Sequence, residues 1–588
     1  MGSLAEIVLQ HQLILISDDA DLGGFIPERH VHNVSIDDKL ACLPGIDVSS
    51  IQSYLATEPL AKLWGRAHGS SWEGLDDIKR SPQQITSSDD FTRARIAQVN
   101  DILAKWPYVF LTGLSGVGKS TFVEREFCTQ ADKLYRTEDA IEDWAKDRSG
   151  ARKILFIDEA NLSPRQWSEF EGLFQTPAHI LVNGVLYPLT SQHKVIFAGN
   201  PLSYGDERRL APFFERHGHA LLFTPLPPAF IAEKVLQPLF ADTGIEAQAV
   251  IKMILAAYQF IGDCSTTELL ISPRELEMMA LLTINKAKQC PSLAINDIAA
   301  HYIYQLGINL LPEAKQRQFE RTFKPRSAIE AHQTKMDDFL VTPSRQTVSQ
   351  LLDDLLSLHE ARPTLSGSQQ TAGLGGIIIE GAPGIGKSEL VINTLRAWGY
   401  EEEHAFTAPT KKEKPFYNMP VSMPLAEKEQ LLIKAFNEGA IVMIDEINSS
   451  PMMESLLNDL LMGKNPKAKL GDEDKPGFML IGTQNPVTMA GRKIISTALQ
   501  RRLINITLPE YTTEELKPIL CAKGVPQHEA VAMIETYTSQ RAYAKQHQLS
   551  PVPNFRHLMT CATQYLKSTL RSKAAAEQED SYCLRLMY

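Results

Sequence analysis

Nine residues decide the fold of this chain: "GLSGVGKST" at Gly113–Thr121, whose pattern returns as "GAPGIGKSE" at Gly381–Glu389. Both stretches fit G-x-x-x-x-G-K-[ST], the loop in which backbone N–H groups and a lysine surround phosphate oxygens. Each follows an apolar segment, "YVFLTG" or "GIIIEG", and precedes a helical pattern, "STFVEREF" or "SELVINTLRAW". This strand–loop–helix order predicts an α/β fold with a parallel sheet around each loop.

The two loops are expected to bind the phosphates of a nucleotide at a helix N-terminus, which adds partial positive charge. Lys119 and Lys387 would neutralise β- and γ-phosphate oxygens, and Ser120 and Ser388 would ligate Mg²⁺. The predicted nucleotide-binding residues are Gly113, Gly116, Gly118, Lys119, Ser120, Thr121 and Arg274, and, in the second stretch, Gly381, Gly384, Gly386, Lys387, Ser388, Glu389 and Arg556.

An acidic pair follows a second apolar run in both halves of the chain, in "ILFIDEANLS" from Ile154 and in "IVMIDEINSS" from Ile441. Such a run suits a parallel strand that is buried on both faces. At the end of that strand, Asp158 and Asp445 would hold Mg²⁺ through water. The neighbouring Glu159 and Glu446 would polarise the attacking water as general bases.

Two asparagines end further apolar strands, Asn200 in "VIFAGNP" and Asn485 in "MLIGTQNP". An uncharged amide at this place can orient the lytic water or contact the γ-phosphate without competing for the metal. We therefore expect both asparagines to act in catalysis.

Arginines follow in the same order. Arg216 in "FFERHG" and Arg502 in "LQRRLI" are expected to stabilise charge on the transferring phosphoryl group when they are supplied in trans. Arg501 competes with Arg502 for this role, and the weight of Arg208 and Arg209 stays open. Two further arginines in helical segments, Arg274 and Arg556, are expected to reach the nucleotide from a lid.

The separations of these features indicate an internal repeat. The differences are 387 − 119 = 268, 445 − 158 = 287, 485 − 200 = 285, 502 − 216 = 286 and 556 − 274 = 282. Five features in one order at nearly constant offset predict two copies of one nucleotide-binding unit. The second copy has 287 − 268 = 19 more residues before its acidic pair, and "EEHAFTAPTKKEKPFYNMP" at 402–420 is expected to be a surface insertion.

Composition excludes several classes of protein. The chain of 588 residues is 44% hydrophobic and 22% charged, as in a folded globular protein of several domains. No apolar run approaches the roughly 18–20 residues of a membrane helix, and the N-terminus lacks signal-peptide features. The seven cysteines form no CxxC motif and favour a reducing, cytoplasmic location. The net charge of −11 argues against a protein that coats nucleic acid.

The order of the motifs resembles that of the AAA+ ATPases over roughly residues 96–310 and 345–588. Within that group, "HILVNGVLYPLTSQHKVIFAGNP" looks like a MoxR-type hairpin that leads into the sensor strand. The segments "FNEGAIVMIDEINSSPMMESLLNDLL" and "GTQNPVTMAGRKIISTALQRRL" are similar to segments of midasin and MoxR proteins. The resemblance is therefore to the MoxR, midasin and dynein-like branch, and a mysterin-like core is a further relative by architecture.

The resemblance implies a domain order. It comprises an N-terminal segment at 1–95, a core at 96–226 with a helical lid at 227–310, a connector at 311–345, and a second core at 346–509 with a lid at 510–588. In the N-terminal segment, "ERHVH" at 28–32 matches "ERHGH" at 215–219. The match either marks the tail of a truncated or degenerate module, with Arg29 as a third finger arginine, or is a short chance match.

The resemblance also implies an ATP- and Mg²⁺-dependent machine that remodels a protein client or assembly. Its modules would pack in a ring with further modules or chains. Arg502 would complete the site that contains Lys119, Arg216 would face something upstream, and the second site would need a finger from elsewhere. Two alternatives stay open: a nucleic-acid motor of the McrB type, and a nucleotide-gated scaffold with little hydrolysis. The motifs do not separate ATP from GTP, and ATP is the family default.

Overall fold

The computed structural model describes residues 88–114, 116–136, 138–161, 165–200, 211–264, 270–325, 340–365, 367–403, 413–449, 454–463, 465, 477–486, 495, 497–548 and 552–569. They divide into two compact units. The first comprises the described residues up to Ala280 together with Tyr302–Lys324, and the second comprises Leu281–His301 and the described residues from Pro325 onward. Arg29, Arg208 and Arg209 lie outside the described residues.

In the first unit, seven strands are described, of which five form one parallel sheet in the order β2-β3-β6-β1-β7, while β4 and β5 pair as an antiparallel hairpin. The strands are β1 Tyr108–Thr112, β2 Lys133–Arg136, β3 Lys153–Ile157, β4 His179–Val182, β5 Val185–Pro188, β6 His193–Gly199 and β7 Ala220–Leu222. The predicted phosphate loop, residues 113–121, follows β1. The acidic pair, Asp158 and Glu159, follows β3, and Asn200 follows β6. Because β6 lies between β1 and β3, the sheet places the asparagine between the lysine and the acidic pair.

Helices cover this sheet and continue beyond it. The α-helices are α1 Ser88–Lys105, α2 Lys119–Thr121, α3 Ile141–Lys146, α4 Pro212–His217, α5 Pro228–Phe230, α6 Gln237–Phe240, α7 Ala247–Gly262, α8 Pro273–Gln289, α9 Ile295–Gly307 and α10 Glu313–Phe323. π-Helical turns at Phe122–Phe127 and Ile231–Leu236 extend α2 and α5, and 3₁₀ turns lie at Glu138–Ala140, Ser168–Phe174 and Ile308–Leu310. Helix α1 spans the expected boundary at 95/96, and α8 and α9 each contribute residues to both units.

Alternate residues of the central strands face opposite sides of the sheet, as the pleat requires. Tyr108 and Phe110 pack in a cluster with Trp144, whereas Val109 and Leu111 pack in another cluster with Phe122. Both faces of β1, β3 and β6 are therefore buried, which explains their unbroken apolar runs. The result is a three-layer arrangement with the loops at one edge of the sheet.

The second unit repeats this strand order with one added strand. Six described strands form a parallel sheet in the order β13-β8-β12-β11-β10-β9. They are β8 Gly376–Glu380, β9 Glu401–Glu402, β10 Pro415–Met419, β11 Ile441–Ile444, β12 Met479–Gln484 and β13 Ile504–Thr507. The phosphate loop, acidic pair and asparagine follow β8, β11 and β12, and β12 lies between the other two.

The helices of the second unit are α11 Pro343–Ala361, α12 Gly367–Thr371, α13 Lys387–Ala397, α14 Leu425–Glu438, α15 Glu454–Leu460, α16 Thr497–Gln500, α17 Thr513–Ala522, α18 Gln527–Gln546 and α19 at residues 555–569, with 3₁₀ turns at Arg362–Thr364 and Ile447–Ser449. Helices α17 to α19 share a cluster of their own, which includes Leu520, Ile534 and Leu558. The helical segments expected in 227–310 are also helices. No helix within the described ranges combines the length and apolar character needed to cross a bilayer.

The expectation of a surface insertion at 402–420 was wrong for its last part. Residues Pro415–Met419 form β10, which pairs in parallel with β11, and Phe416 and Tyr417 are fully buried. The run "PFYNM" has the aromatic content of an inner strand, but the adjacent lysines and prolines obscured it. The added length instead includes β9 and a longer helix before the acidic pair, α14, whose counterpart in the first unit is the six-residue α3.

Candidate functional site

Glycines give each phosphate loop its shape. Gly116 and Gly118 have φ of 92° and 83°, and Gly384 and Gly386 have φ of 77° and 86°. This is the left-handed region, which residues with a Cβ rarely occupy. A Cβ built on Gly118 would meet nothing within 4 Å, so the backbone is open on that side. Both loops thus have the left-handed glycines of such a loop. The first is open at Gly118, whereas a Cβ on Gly386 of the second would lie 3.6 Å from Tyr511 Oη.

The loop lysines are buried and make equivalent contacts in the two units. Lys119 Nζ donates to the carbonyl oxygens of Gly113 at 2.5 Å and Leu114 at 3.1 Å, and to Asn200 Oδ1 at 2.9 Å. Lys387 Nζ repeats this pattern. It donates to Gly381 O at 2.7 Å, Ala382 O at 3.0 Å and Asn485 Oδ1 at 2.9 Å. Each lysine has three donors, so a phosphate oxygen would replace at least one of these acceptors.

A hydroxyl and a carboxylate converge beside each lysine. Ser120 Oγ donates to Asp158 Oδ2 at 2.5 Å, and Ser388 Oγ donates to Asp445 Oδ1 at 3.0 Å. Oxygen ligands of this kind, supplied by a carboxylate and a hydroxyl next to a phosphate loop, suit Mg²⁺, which usually keeps several waters. The four predicted metal-site residues are therefore brought together in pairs, one pair in each unit.

The predicted general bases share an unusual backbone conformation. Glu159 has φ of 51° and Glu446 has φ of 50°. Few non-glycine residues adopt such angles, and those that do often lie at functional sites, where the surrounding structure bears a cost of about 1–3 kcal/mol. The same deviation occurs at equivalent positions in both units, just after the strand that precedes the acidic pair.

Asparagine and threonine side chains fix the acidic pair of the second unit. Asn485 Nδ2 donates to Glu446 Oε1 at 2.9 Å, while its Oδ1 accepts from Lys387. Thr483 Oγ1 donates to Asp445 Oδ1 at 2.6 Å and accepts from the N–H of Glu446 at 3.3 Å. One amide therefore connects the lysine to the general base. In the first unit, Ala198 occupies the position of Thr483, because 483 − 198 = 285, and it has no hydroxyl.

The predicted finger arginines differ in exposure. Arg216 lies on α4 with 57% of its side chain exposed, and it forms a short ion pair with Glu171, which also contacts His217 at 2.7 Å. Partial burial raises the pKa of Glu171, but hydrogen bonds from His217 and Arg216 outweigh it and lower the pKa overall. Arg502 is only 7% exposed, whereas Arg501 is half-buried. That Arg501 or Arg502 stabilises the transferring phosphoryl group at another site stays a prediction.

The predicted lid arginine of the second unit lies against its phosphate loop. A Cβ on Gly384 would come within 3.0 Å of Arg556 Cβ and within 3.5 Å of Asn554 Oδ1. Arg274 lies at the start of α8 and is half-buried. Thr121 and Glu389 have exposed side chains, and Glu389 contacts Asn393 on its own helix. Glu389 is therefore placed less favourably for nucleotide than the serine before it.

Reasoning from sequence missed a second asparagine in each unit. Asn161 Nδ2 donates to Asn200 O at 2.6 Å, and Asn448 Nδ2 donates to Asn485 O at 2.9 Å. These bonds hold the backbone that carries each of the asparagines predicted to act in catalysis. The signal was present in the sequence, because "DEAN" and "DEIN" both place asparagine three residues after the metal-site aspartate.

Comparison with known proteins adds a family and two relatives. Residues 376–503 match the AAA domain (dynein-related subfamily). A midasin from Giardia intestinalis is 31% identical over 166 residues, which cover 26% of this chain and 3% of that protein. A midasin from Dictyostelium discoideum is 31% identical over 105 residues, which cover 17% of this chain and 2% of that protein. The matches thus span only a few per cent of the length of these relatives.

Proposed function

We propose that this chain, an AAA+ protein of the midasin- and dynein-like branch, hydrolyses ATP at two sites and uses the energy to remodel a protein or protein assembly. One observation carries the proposal. In each unit, a phosphate-loop lysine, an asparagine, a serine and an acidic pair meet at one edge of a parallel sheet, with the same 2.9 Å lysine–asparagine bond. Both units would therefore be tandem AAA+ modules.

The side chains divide the work at each site. Lys119 and Lys387 would exchange a carbonyl or amide acceptor for phosphate oxygens and so neutralise their charge. Ser120 with Asp158, and Ser388 with Asp445, would hold Mg²⁺. When bound, Mg²⁺–ATP supplies the phosphoanhydride bond that is to be split.

The glutamates would act as general bases on a water. Glu446 is positioned for this by its bond from Asn485, which also contacts Lys387. The asparagine can therefore transmit the position of the lysine, and with it that of the phosphates, to the base. Proton transfer to a positioned carboxylate contributes about 10²–10⁴-fold to a rate.

The lid would respond to the nucleotide through Arg556, which lies at the phosphate loop of its own module. Further modules or chains would complete a ring. In it, Arg502 would act in trans at the site that contains Lys119, Arg216 would face a module upstream, and the second site would take an arginine from another module or chain. The midasin and dynein-like relationship favours a protein client over nucleic acid, as does the net charge of −11. The unpaired spacing of the cysteines favours the cytoplasm.

The test is the ATP turnover of purified protein and of Glu159→Gln, Glu446→Gln and the double variant. These changes keep the size of the side chain and remove the base. We expect the double variant to lose turnover by at least about 100-fold while it still binds nucleotide. The single variants apportion activity between the two sites. Turnover that is unchanged in the double variant would contradict the proposal and would favour a nucleotide-gated scaffold. Turnover that depends on DNA would favour a nucleic-acid motor.

A further inference from the structure

A buried arginine before the first sheet links two loops of the first unit. Arg95 on α1 donates from Nη2 to Thr224 O at 2.8 Å and from Nη1 to Val117 O at 3.4 Å. Val117 belongs to the phosphate loop. Thr224 lies in the segment 223–227, here called the first hinge segment, which joins β7 to the first lid helix. The guanidinium lies between the rings of Phe91 and Phe223, at 4.3 and 4.2 Å from their centroids.

The second unit contains an arginine that donates to the equivalent pair of carbonyl oxygens. Arg345 on α11 donates from Nη1 to Pro509 O at 2.7 Å and from Nη2 to Ile385 O at 3.4 Å. Ile385 lies in the phosphate loop, and Pro509 lies in the second hinge segment, 508–512, between β13 and α17. Arg345 is fully buried, and its guanidinium lies 3.5 Å from the centroid of the Tyr511 ring.

The carbonyl oxygens that accept from the two arginines lie at equivalent sequence positions in the two units, although the arginines themselves do not. The differences 385 − 117 = 268 and 509 − 224 = 285 equal those of the lysines and the asparagines. The arginines differ by 345 − 95 = 250. Their helices start 343 − 88 = 255 residues apart, and Arg95 lies two turns into α1 whereas Arg345 lies in the first turn of α11. The two units therefore reach one pair of loops from different helical positions, which indicates that the link itself is what both units require.

The linked loops also touch directly. A Cβ on Gly113 would lie 2.5 Å from Phe223 O, and one on Gly381 would lie 2.8 Å from Leu508 O. Each phosphate loop therefore begins with a glycine because the hinge carbonyl passes close to it. A shift of either loop must move the other or break the bonds of the arginine.

Acidic residues of the lids fasten the helices that carry these arginines. Ser88 Oγ at the start of α1 forms a short hydrogen bond with Glu233, and the N–H of Ser344 donates to Glu515 at 2.7 Å. The difference 515 − 233 = 282 equals that of the two lid arginines, 556 − 274. Arg95 and Arg345 thus lie in helices that are attached to the lid at one point and to the phosphate loop at another.

We propose that Arg95 and Arg345 are positioning residues that couple the phosphate loop to the lid through the hinge segment. The inference rests on the proposed function, since it requires nucleotide at the loop. Binding of phosphate displaces the loop backbone. The guanidinium, held by two carbonyls and an aromatic face, passes that displacement to the hinge and hence to the lid.

The test compares Arg95→Lys and Arg345→Lys with two control variants in the full chain. Lysine keeps the charge but lacks the planar fork that spans two carbonyls. Arg148→Lys and Arg362→Lys are controls that make the same change at arginines which also donate to carbonyl oxygens, although Arg148 is exposed and Arg362 is half-buried. Arg148 donates to Ala145 O and Pro188 O, and Arg362 donates to Gln370 O and Ala372 O, all outside the phosphate loops and hinge segments. The readouts are the affinity for a slowly hydrolysed ATP analogue with Mg²⁺ and the hydrogen exchange of the lid helices α7 and α18 with and without it.

We expect Arg345→Lys to bind the analogue within about fivefold of the wild type, with less than half of the analogue-dependent change in exchange at α18. Arg95→Lys should do the same at α7, and the controls should match the wild type. Unaltered lid responses in both arginine variants would overturn the inference, as would equal losses in the controls. If Arg345→Lys does not fold, Arg345→Gln is measured in its place. A wild-type chain that binds no analogue would instead refute the proposed function.

Discussion

The candidate sites of the two units contain the same lysine, asparagine, serine and aspartate, but the second site has an additional side-chain hydrogen bond to its aspartate. Both join lysine to asparagine at 2.9 Å, serine to aspartate, and a hinge carbonyl to an arginine. At the position of Thr483 the chemistry diverges, because Ala198 cannot form the bond that Thr483 gives to Asp445. Contacts common to both units mark what the two proposed nucleotide sites share. The difference marks where the rates of the two sites can diverge.

The largest expected effect comes from breaking a buried ion pair of the second unit, which should destabilise that unit and leave the first unit stable. Lys286 Nζ lies 3.0 Å from Asp354 Oδ1, both side chains are at most 7% exposed, and both residues belong to the second unit. Lys286→Met leaves a buried carboxylate without its cation, which costs about 3–5 kcal/mol. Amide exchange in α11 should accelerate accordingly, while β1 and β3 of the first unit keep their protection.

Two further variants control this prediction. In the first unit, Lys146 and Glu142 form an exposed pair, so Lys146→Met should leave the stability nearly unchanged. The double variant Lys286→Met/Asp354→Leu should recover most of the loss, because no charge stays buried. If the single and double variants are equally unstable, the pair is not the reason for the loss.

Acidification should weaken the second unit through His359. Burial, aided by the charges of Arg362 and Lys414, lowers the pKa of His359 to about 4, against the opposing effects of Glu360 and the Gly477 backbone. The unfolded chain binds a proton near pH 6.5, whereas the folded chain does so only near pH 4. Stability is therefore lost as the pH falls through this window, by about 3 kcal/mol from this residue.

His359→Gln removes this titration, so its exchange protection in the second unit should depend less on pH between 6.5 and 4. The first unit supplies the comparison. Burial also lowers the pKa of His193 there, so acid weakens both units. The variant should alter only the second. If exchange protection depends equally on pH in the wild type and the variant, the pKa of His359 is the same in the folded and the unfolded chain.

The smallest expected effect comes from exchanging Thr483 and Ala198, which occupy equivalent positions in the two sites. Thr483→Ala removes a hydrogen bond to a charged group, worth about 1.5–3 kcal/mol at most and about 1 kcal/mol where water can replace it. We expect about a five- to tenfold loss of turnover, measured in the Glu159→Gln background so that only the second site contributes. The reciprocal Ala198→Thr, in the Glu446→Gln background, should not lower the first site's turnover. Unchanged turnover in Thr483→Ala would show that the threonine has no supporting role.

The features that could be predicted from the sequence are those that depend on a few adjacent residues. The phosphate loops, acidic pairs and asparagines could be predicted because each is a short motif of adjacent residues. The structure brings these motifs together in each unit, and their roles at a nucleotide stay predictions. The resemblance to the midasin- and dynein-like branch is confirmed by the AAA domain matched at 376–503 and by the similarity to two midasins. The parallel α/β sheets are likewise as predicted.

Other features escaped because they depend on distant parts of the chain. Arg95 and Arg345 belong to no motif, and their acceptors lie far along the chain, up to 129 and 164 residues away. Strand β10 was missed because its burial depends on pairing with β11, whereas its flanks look like a loop. The partners of Arg216 and Arg502 in trans would belong to other modules, so neither sequence spacing nor a single chain assigns them.

Nucleotide stoichiometry tests the central claim most directly, namely that each unit holds one nucleotide through its lysine. Bound ATP analogue per chain would be measured at saturation with Mg²⁺ for the wild type, Lys119→Ala, Lys387→Ala and the double variant. The account predicts two molecules for the wild type, one for each single variant and none for the double variant. Fewer than two in the wild type, or two retained in either single variant, would contradict it.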